Sequence, residues 1–168
     1  MEVFVKLLEM TFWEKLANFH GSLAMLSLIL FGAAIVLYFV VRKSGNFINF
    51  LKGVLLLLFV NLSLLDIFGL TIYMPYRAAG GPRSILKASE STAWLHNVVF
   101  EHKEFLAFAP PILILVAFLI TVALARNFND EKFSRLRKGV IFSLVTSLIF
   151  VLIVAAEAVL VTKAAPVK

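Results

Sequence analysis

Four long apolar runs govern what this 168-residue chain can fold into. A helix needs about 20 mostly apolar residues to cross the hydrocarbon core of a bilayer. Residues 21–41 contain no charge, and residues 53–76 are interrupted only by Asp66. Residues 105–125 are uncharged but hold Pro110 and Pro111, and residues 139–162 are interrupted only by Glu157. Four such lengths in one small chain call for a non-aqueous solvent. Composition agrees: 61% of residues are hydrophobic and 15% charged, against about 45–50% and 25% in soluble domains. The pattern predicts an all-α integral membrane protein, a single membrane domain over 1–168. Its four transmembrane helices, near 20–41, 53–76, 92–125 and 139–162, form an up-down-up-down bundle.

The net charge of +6 does not point to nucleic acid, because the basic residues sit in short clusters between the apolar runs, where they act as topology signals. The connections 42–52 and 126–138 are short and carry Arg42, Lys43, Lys52, Arg126, Lys132, Arg135, Arg137 and Lys138. The other side has eight basic residues as well, spread over both termini and the long 77–104 connection. Density therefore assigns the short loops to the cytoplasm and both termini to the outer side of a cell membrane. Residues 3–19 place Phe4, Leu7, Leu8, Phe12, Leu16 and Phe19 at roughly helical spacing, with Lys6, Glu9 and Lys15 interleaved. This reads as an amphipathic interfacial segment or a wet first turn of helix one. Glu2, Glu9 and Glu14 stand where a cleaved signal peptide would be basic. The absence of cysteine excludes disulfides and thiolate metal sites. No strand–Gly-rich–helix pattern supports nucleotide binding.

In the long connection, Gly80-Gly81-Pro82 is a turn signal and 89–92 offers helix N-caps. Helix three is therefore expected from about Thr92, with Pro110 and Pro111 kinking it one turn inside the membrane. Up-down-up-down topology puts the starts of helices one and three beside the ends of two and four. His20, His96, His102, Asp66 and Glu157 then all fall in one half of the bilayer. An intramembrane acid costs several kcal/mol unless it is paired, protonated or facing a cavity, so Asp66 and Glu157 are functional candidates. From Asp66 one helix face runs through Gly69 and Tyr73 to Arg77. His102 shares a face with Val99, Leu106 and Ala109, while His96 is rotated away and lies nearer the water.

Two chemistries suit such a cluster. The diagonal of a four-helix bundle, about 12–14 Å for helices about 8–10 Å apart, suits haem b gripped by His20 and His102, with His96 as substitute. Arg77, Arg83 or Lys163 would meet the propionates, and Asp66 and Tyr73 would bond a propionate, a quinone or a transferred proton. Alternatively His20, Asp66, Glu101 or Glu104, His102 and Glu157 form a non-haem metal or proton site, although the Glu-x-x-His pair of di-metal bundles is missing. Plainer roles compete: interfacial hydrogen bonding for the histidines, interhelical bonds for the acids, a solvated helix start for Glu101, Lys103 and Glu104, and an aromatic belt for Tyr73, Tyr76 and Trp94.

His20 early in helix one, Asp66 late in helix two and His102 entering helix three resemble the pattern of small four-helix membrane b-type cytochromes and related uncharacterised four-helix families. The resemblance covers residues 20–162. This chain has His20-Gly21 where the uncharacterised families often have His-Pro. The resemblance implies a haem b subunit of a respiratory complex, exchanging electrons with a quinone or a partner redox subunit near the outer face. The alternative is a cofactor-free accessory subunit of a larger membrane complex. Either would be an electron-transfer or accessory subunit rather than a stand-alone enzyme. Its partners would be the lipid bilayer and other membrane subunits or further copies of itself.

Overall fold

With no water to bond backbone groups in an apolar slab, a spanning segment must satisfy them internally, and helices do so. The computed structural model describes residues 9–165, and among them there is no β-strand. α1 covers Phe12–Ser44 and α2 covers Ile48–Arg77. Two short helices come next, α3 (Pro82–Lys87) and α4 (Glu90–Trp94), then a π-helical turn, Leu95–Phe100. α5 (Glu101–Ala107), α6 (Ala109–Leu124) and α7 (Ser134–Ala164) complete the chain. Four stretches are long and apolar enough to cross a membrane: Phe12–Ser44, Ile48–Arg77, Glu90–Asn127 and Glu131–Ala164. Each exceeds its expected length, because the charged flanks continue the helices rather than ending them. The connection expected over 42–52 shrinks to the few residues around Gly45, and Lys52 lies inside α2.

The first helix starts on a capping box. Glu14 N–H donates to Thr11 Oγ1 at 3.2 Å, and Thr11 N–H donates to the Glu14 carboxylate at 2.8 Å. Residues 12–19 therefore continue α1 as its first turns. The earlier part of the expected interfacial segment, with Phe4, Lys6, Leu7 and Leu8, lies outside the described residues. α1 stops where Gly45, at φ +72°, turns into the left-handed region and its N–H bonds Val41 O. In the third span, Pro110 and Pro111 lack the N–H groups that would reach back one turn. The hydrogen-bond ladder is interrupted at Phe108, between α5 and α6, where the backbone keeps helical dihedrals and the span runs on.

α1 packs along α2, α2 along α6 and α6 along α7, while α1 meets α7 only lightly. Phe31, Ala34, Leu51, Leu55, Leu58, Ile114, Ala117 and Leu144 are fully buried between them. The outward faces remain apolar: Ile29, Leu57, Ile112, Phe142 and Leu152 are all exposed. So large an apolar exterior is foreign to a soluble monomer and is consistent with a multi-pass membrane protein. Between apolar helices in lipid, polar contacts assist packing. Asn61 Nδ2 donates to Leu23 O at 3.0 Å and to Ser27 Oγ at 2.8 Å, clamping α2 to α1. Ser147 Oγ donates to Pro110 O at 3.2 Å beside that interruption.

The end carrying the short connections is locked. Arg137 Nη1 donates to Phe128 O at 2.8 Å and Asp130 O at 2.9 Å, and Tyr38 donates to Arg137 O at 3.1 Å. Asn129 Nδ2 ties the same loop to Val41 O. Arg137, counted by sequence among the loop cations, is thus a buried structural residue. At the other end the 78–100 segment folds over the bundle and builds its own apolar core from Tyr76, Leu86, Leu95, Phe100 and Val161. Its turn needs two glycines. Gly80 has φ +73°, and a β-carbon on Gly81 would stand 2.5 Å from Pro75 O.

Candidate functional site

The end opposite the locked loops gathers the ionisable residues. Antiparallel packing brings the start of α1, the end of α2, α5 and the end of α7 together there, as the Phe19–Phe68 ring contact and the His102–Glu157 bond both record. One stripe of this span turns inward: His96, Val99 and Phe100 are buried, and Lys103 follows at the i+7 position from His96, on the same helical face. His96 is 2% exposed, while the His102 side chain, off that stripe, is 56% exposed. That reverses the facing expected from the sequence. Lys103 moves to the inner side, where a solvated helix start was expected.

His96 belongs to the cap. Arg83 Nε–H donates to its Nε2 at 3.2 Å, which leaves the ring proton on Nδ1, 3.0 Å from the Tyr76 hydroxyl. Both ring nitrogens are occupied, so His96 is not available as a substitute axial ligand. Glu101 stands 3.9 Å from Nε2, at the edge of this network. Tyr76, expected in an interfacial belt, is buried and stacks on Phe100 with centroids 4.0 Å apart and planes 5° apart. Arg83, a candidate for a propionate, is used by His96. Trp94 is exposed, as a belt residue is.

The inner site lies below this cap. The His20 ring rests on α2 at Gly69, where a β-carbon would stand 3.4 Å from His20 Cε1. Glycine at this position gives the imidazole its space. Asp66 and Tyr73 stand one turn to either side of Gly69, and the Arg77 guanidinium lies 4.3 Å above the Tyr73 ring. From the facing helix, the half-buried Lys103 reaches in. It lies within electrostatic range of His20, Asp66, Glu104 and Glu157, yet among the described residues no carboxylate oxygen lies within the 4.0 Å of an ion pair with it. Its nearest aromatic face is Phe100, 4.7 Å away. His20 Nδ1, Tyr73 Oη and Glu157 Oε2 are buried with no hydrogen-bond partner. A cation, several acids and buried polar atoms without hydrogen-bond partners thus gather at this end.

His102 and Glu157 form the outer wall of the site. Nδ1 of His102 lies 2.6 Å from Glu157 Oε1, a charge-assisted distance. Each candidate axial imidazole thus serves a different helix pair, His20 between α1 and α2 and His102 between α5 and α7. Lys103, one residue on from His102 and about 100° around the helix, occupies the inward direction. The residues do not fit a single haem iron held by His20 and His102 across the bundle. Nor, among the described residues, do three His, Asp or Glu side chains converge closely enough to hold a metal ion.

Sequence reasoning identified His20, Asp66, Tyr73 and Glu157 as a convergent set, and the structure brings them to one end with Glu104 at the margin. It passed over Lys103, whose signal was its helical spacing from His96, Val99 and Phe100, the apolar-facing stripe of this span. It also passed over Asn61, whose signal was a lone amide within a leucine-rich run. Replacing His96 with Phe should strand the Arg83 and Tyr76 groups and destabilise the protein by about 2 kcal/mol or more. Thermal unfolding in detergent, with proteolysis of the 78–100 segment, measures this; an unchanged midpoint would contradict the structural role.

The comparisons assign no family: no protein-family model, no curated protein and no solved structure matches this chain.

Proposed function

We propose that this chain is a small membrane subunit of an electron-transfer complex that exchanges protons with a quinone head group at the polar end of its bundle. The observation that carries the reading is Lys103, held among acids it does not touch, beside the unbonded polar atoms of His20 and Tyr73. Intramembrane ionisable groups of this kind mark proton and substrate pathways. Reducing a quinone to a quinol takes up two electrons and two protons. The electrons would come from a partner redox subunit. Asp66 and Lys103 would move the protons, the Tyr73 hydroxyl would donate to a quinone carbonyl oxygen, and His20 Nδ1 would accept from the quinol hydroxyl. Arg77 biases the entrance toward electron-rich groups. Haem b is left out of this reading, because the imidazoles it needs serve separate helix pairs. The alternative, a cofactor-free accessory subunit, gives the unbonded His20 and Tyr73 atoms no role.

In the proposed setting the chain crosses a cell membrane four times, with the polar end and both termini outside and the basic short loops in the cytoplasm. The density of cations in those loops supports that orientation. The chain has no cysteine, so single-cysteine labelling on intact cells is clean. Ser89→Cys should react with an impermeant maleimide and Asn127→Cys only after permeabilisation; the reverse pattern would invert the topology. Quinone binding is tested with a decyl-substituted benzoquinone, titrated by calorimetry into the protein in nanodiscs. Lys103→Met and His20→Phe should each weaken binding at least tenfold. Equal affinity in both variants, or no binding to the unmodified protein, would contradict the proposal.

A further inference from the structure

The polar site needs a way to exchange protons with water, and its surroundings leave one well-built route. On α2, the edge from Tyr73 to Arg77 is closed: the Tyr73 hydroxyl is buried without a partner, and a guanidinium does not give up its proton. On α1, His20 faces α2 rather than the exterior. From the cap, His96 has both nitrogens engaged. On α5, Glu101 lies at the cap, 3.9 Å from His96, and Glu104 lies at the margin, within electrostatic range of Lys103 and Arg77. Between α5 and α7, however, Glu157 spans the wall. Its Oε1 meets the exposed His102, while its Oε2 is buried and unbonded, on the carboxyl that Lys103 senses.

We propose that His102 and Glu157 are the relay that carries protons between the surface and the buried Asp66–Lys103 site. This rests on the reading that the buried site exchanges protons. With Glu157 ionised, the 2.6 Å contact places a proton on His102 Nδ1 and leaves Nε2 open to water. A proton taken up from water at Nε2 lets the one on Nδ1 pass to Glu157 Oε1. Rotation of the carboxyl then presents that proton to the inner site, where it is given to Asp66 directly or through water. The imidazole is left with its proton on Nε2 and returns to its first state by losing that proton to water and regaining one on Nδ1. One proton enters and one is delivered, with no change in oxidation state. His102 stays at the surface and Glu157 turns between two fixed faces, so the step needs no helix movement.

The test tracks the protonated-carboxyl infrared band of the protein in nanodiscs after a pH jump, with Asp66→Asn identifying the band that belongs to Asp66. Glu157→Gln and His102→Phe should slow its appearance at least tenfold, while Glu104→Gln leaves it within about twofold. Imidazole added to the medium should restore the rate in His102→Gly but not in Glu157→Gln, a rescue that a purely structural role for His102 would not give. An Asp66 band that forms at the unmodified rate in both relay variants overturns the relay alone. No Asp66 band at any pH overturns the relay together with the buried proton site beneath it.

Discussion

The cost of holding charge and unbonded polar groups inside an apolar slab organises this molecule. A charged side chain at mid-membrane depth costs several kcal/mol when unpaired, so its placement separates structure from function. At the end with the short connections, the cost is met contact by contact. Arg137 donates to two loop carbonyls, its own carbonyl accepts from Tyr38, and Asn129 closes the α1 terminus. Midway, Asn61 directs both its donor contacts to α1. These contacts tie the spans together, and of the Arg137 guanidinium only Nε is left buried without a partner.

The opposite end obeys the same rule only in part. Its cap is saturated: His96 is bonded on both nitrogens, and the Tyr76–Phe100 stack lies against it. Beneath the cap, Lys103 sits among acids without touching one, and His20 Nδ1 and the Tyr73 hydroxyl have no hydrogen-bond partner. Buried polar atoms without partners are thus concentrated at this end, on His20, Tyr73 and Glu157, against Arg137 Nε at the other. The outer imidazole on Glu157 places a titratable group between that open site and the surface.

The architecture was legible because lipid imposes a strong rule. Runs such as 21–41 and 139–162 have no stable alternative to a helix, and Asp66 and Glu157 stand out against them. The gathering of His20, Asp66 and Glu157 at one end came from antiparallel topology alone. Facing was less legible. The sequence reading put His102 inward with Val99 and His96 outward, whereas the inward face runs through His96, Val99, Phe100 and Lys103 and leaves His102 outside it. The prolines at 110 and 111 interrupt the hydrogen-bond ladder at Phe108, because two successive missing N–H groups remove adjacent rungs, while the backbone there stays helical and the span continues. Arg137 was read from its neighbourhood of loop cations, whereas its role comes from carbonyls on a turn that sequence does not display.

Everything proposed for the polar end depends on the rotation of α5, with Lys103 facing Asp66 and His102 facing out. The most direct measurement is spin-label accessibility in bilayers, with single labels at positions 96, 102 and 103 of this cysteine-free chain. The account predicts an immobilised label at 96, a label at 103 shielded from lipid-soluble oxygen, and a mobile, accessible label at 102. A shielded label at 102 beside an accessible one at 103 would turn the helix the other way and contradict it.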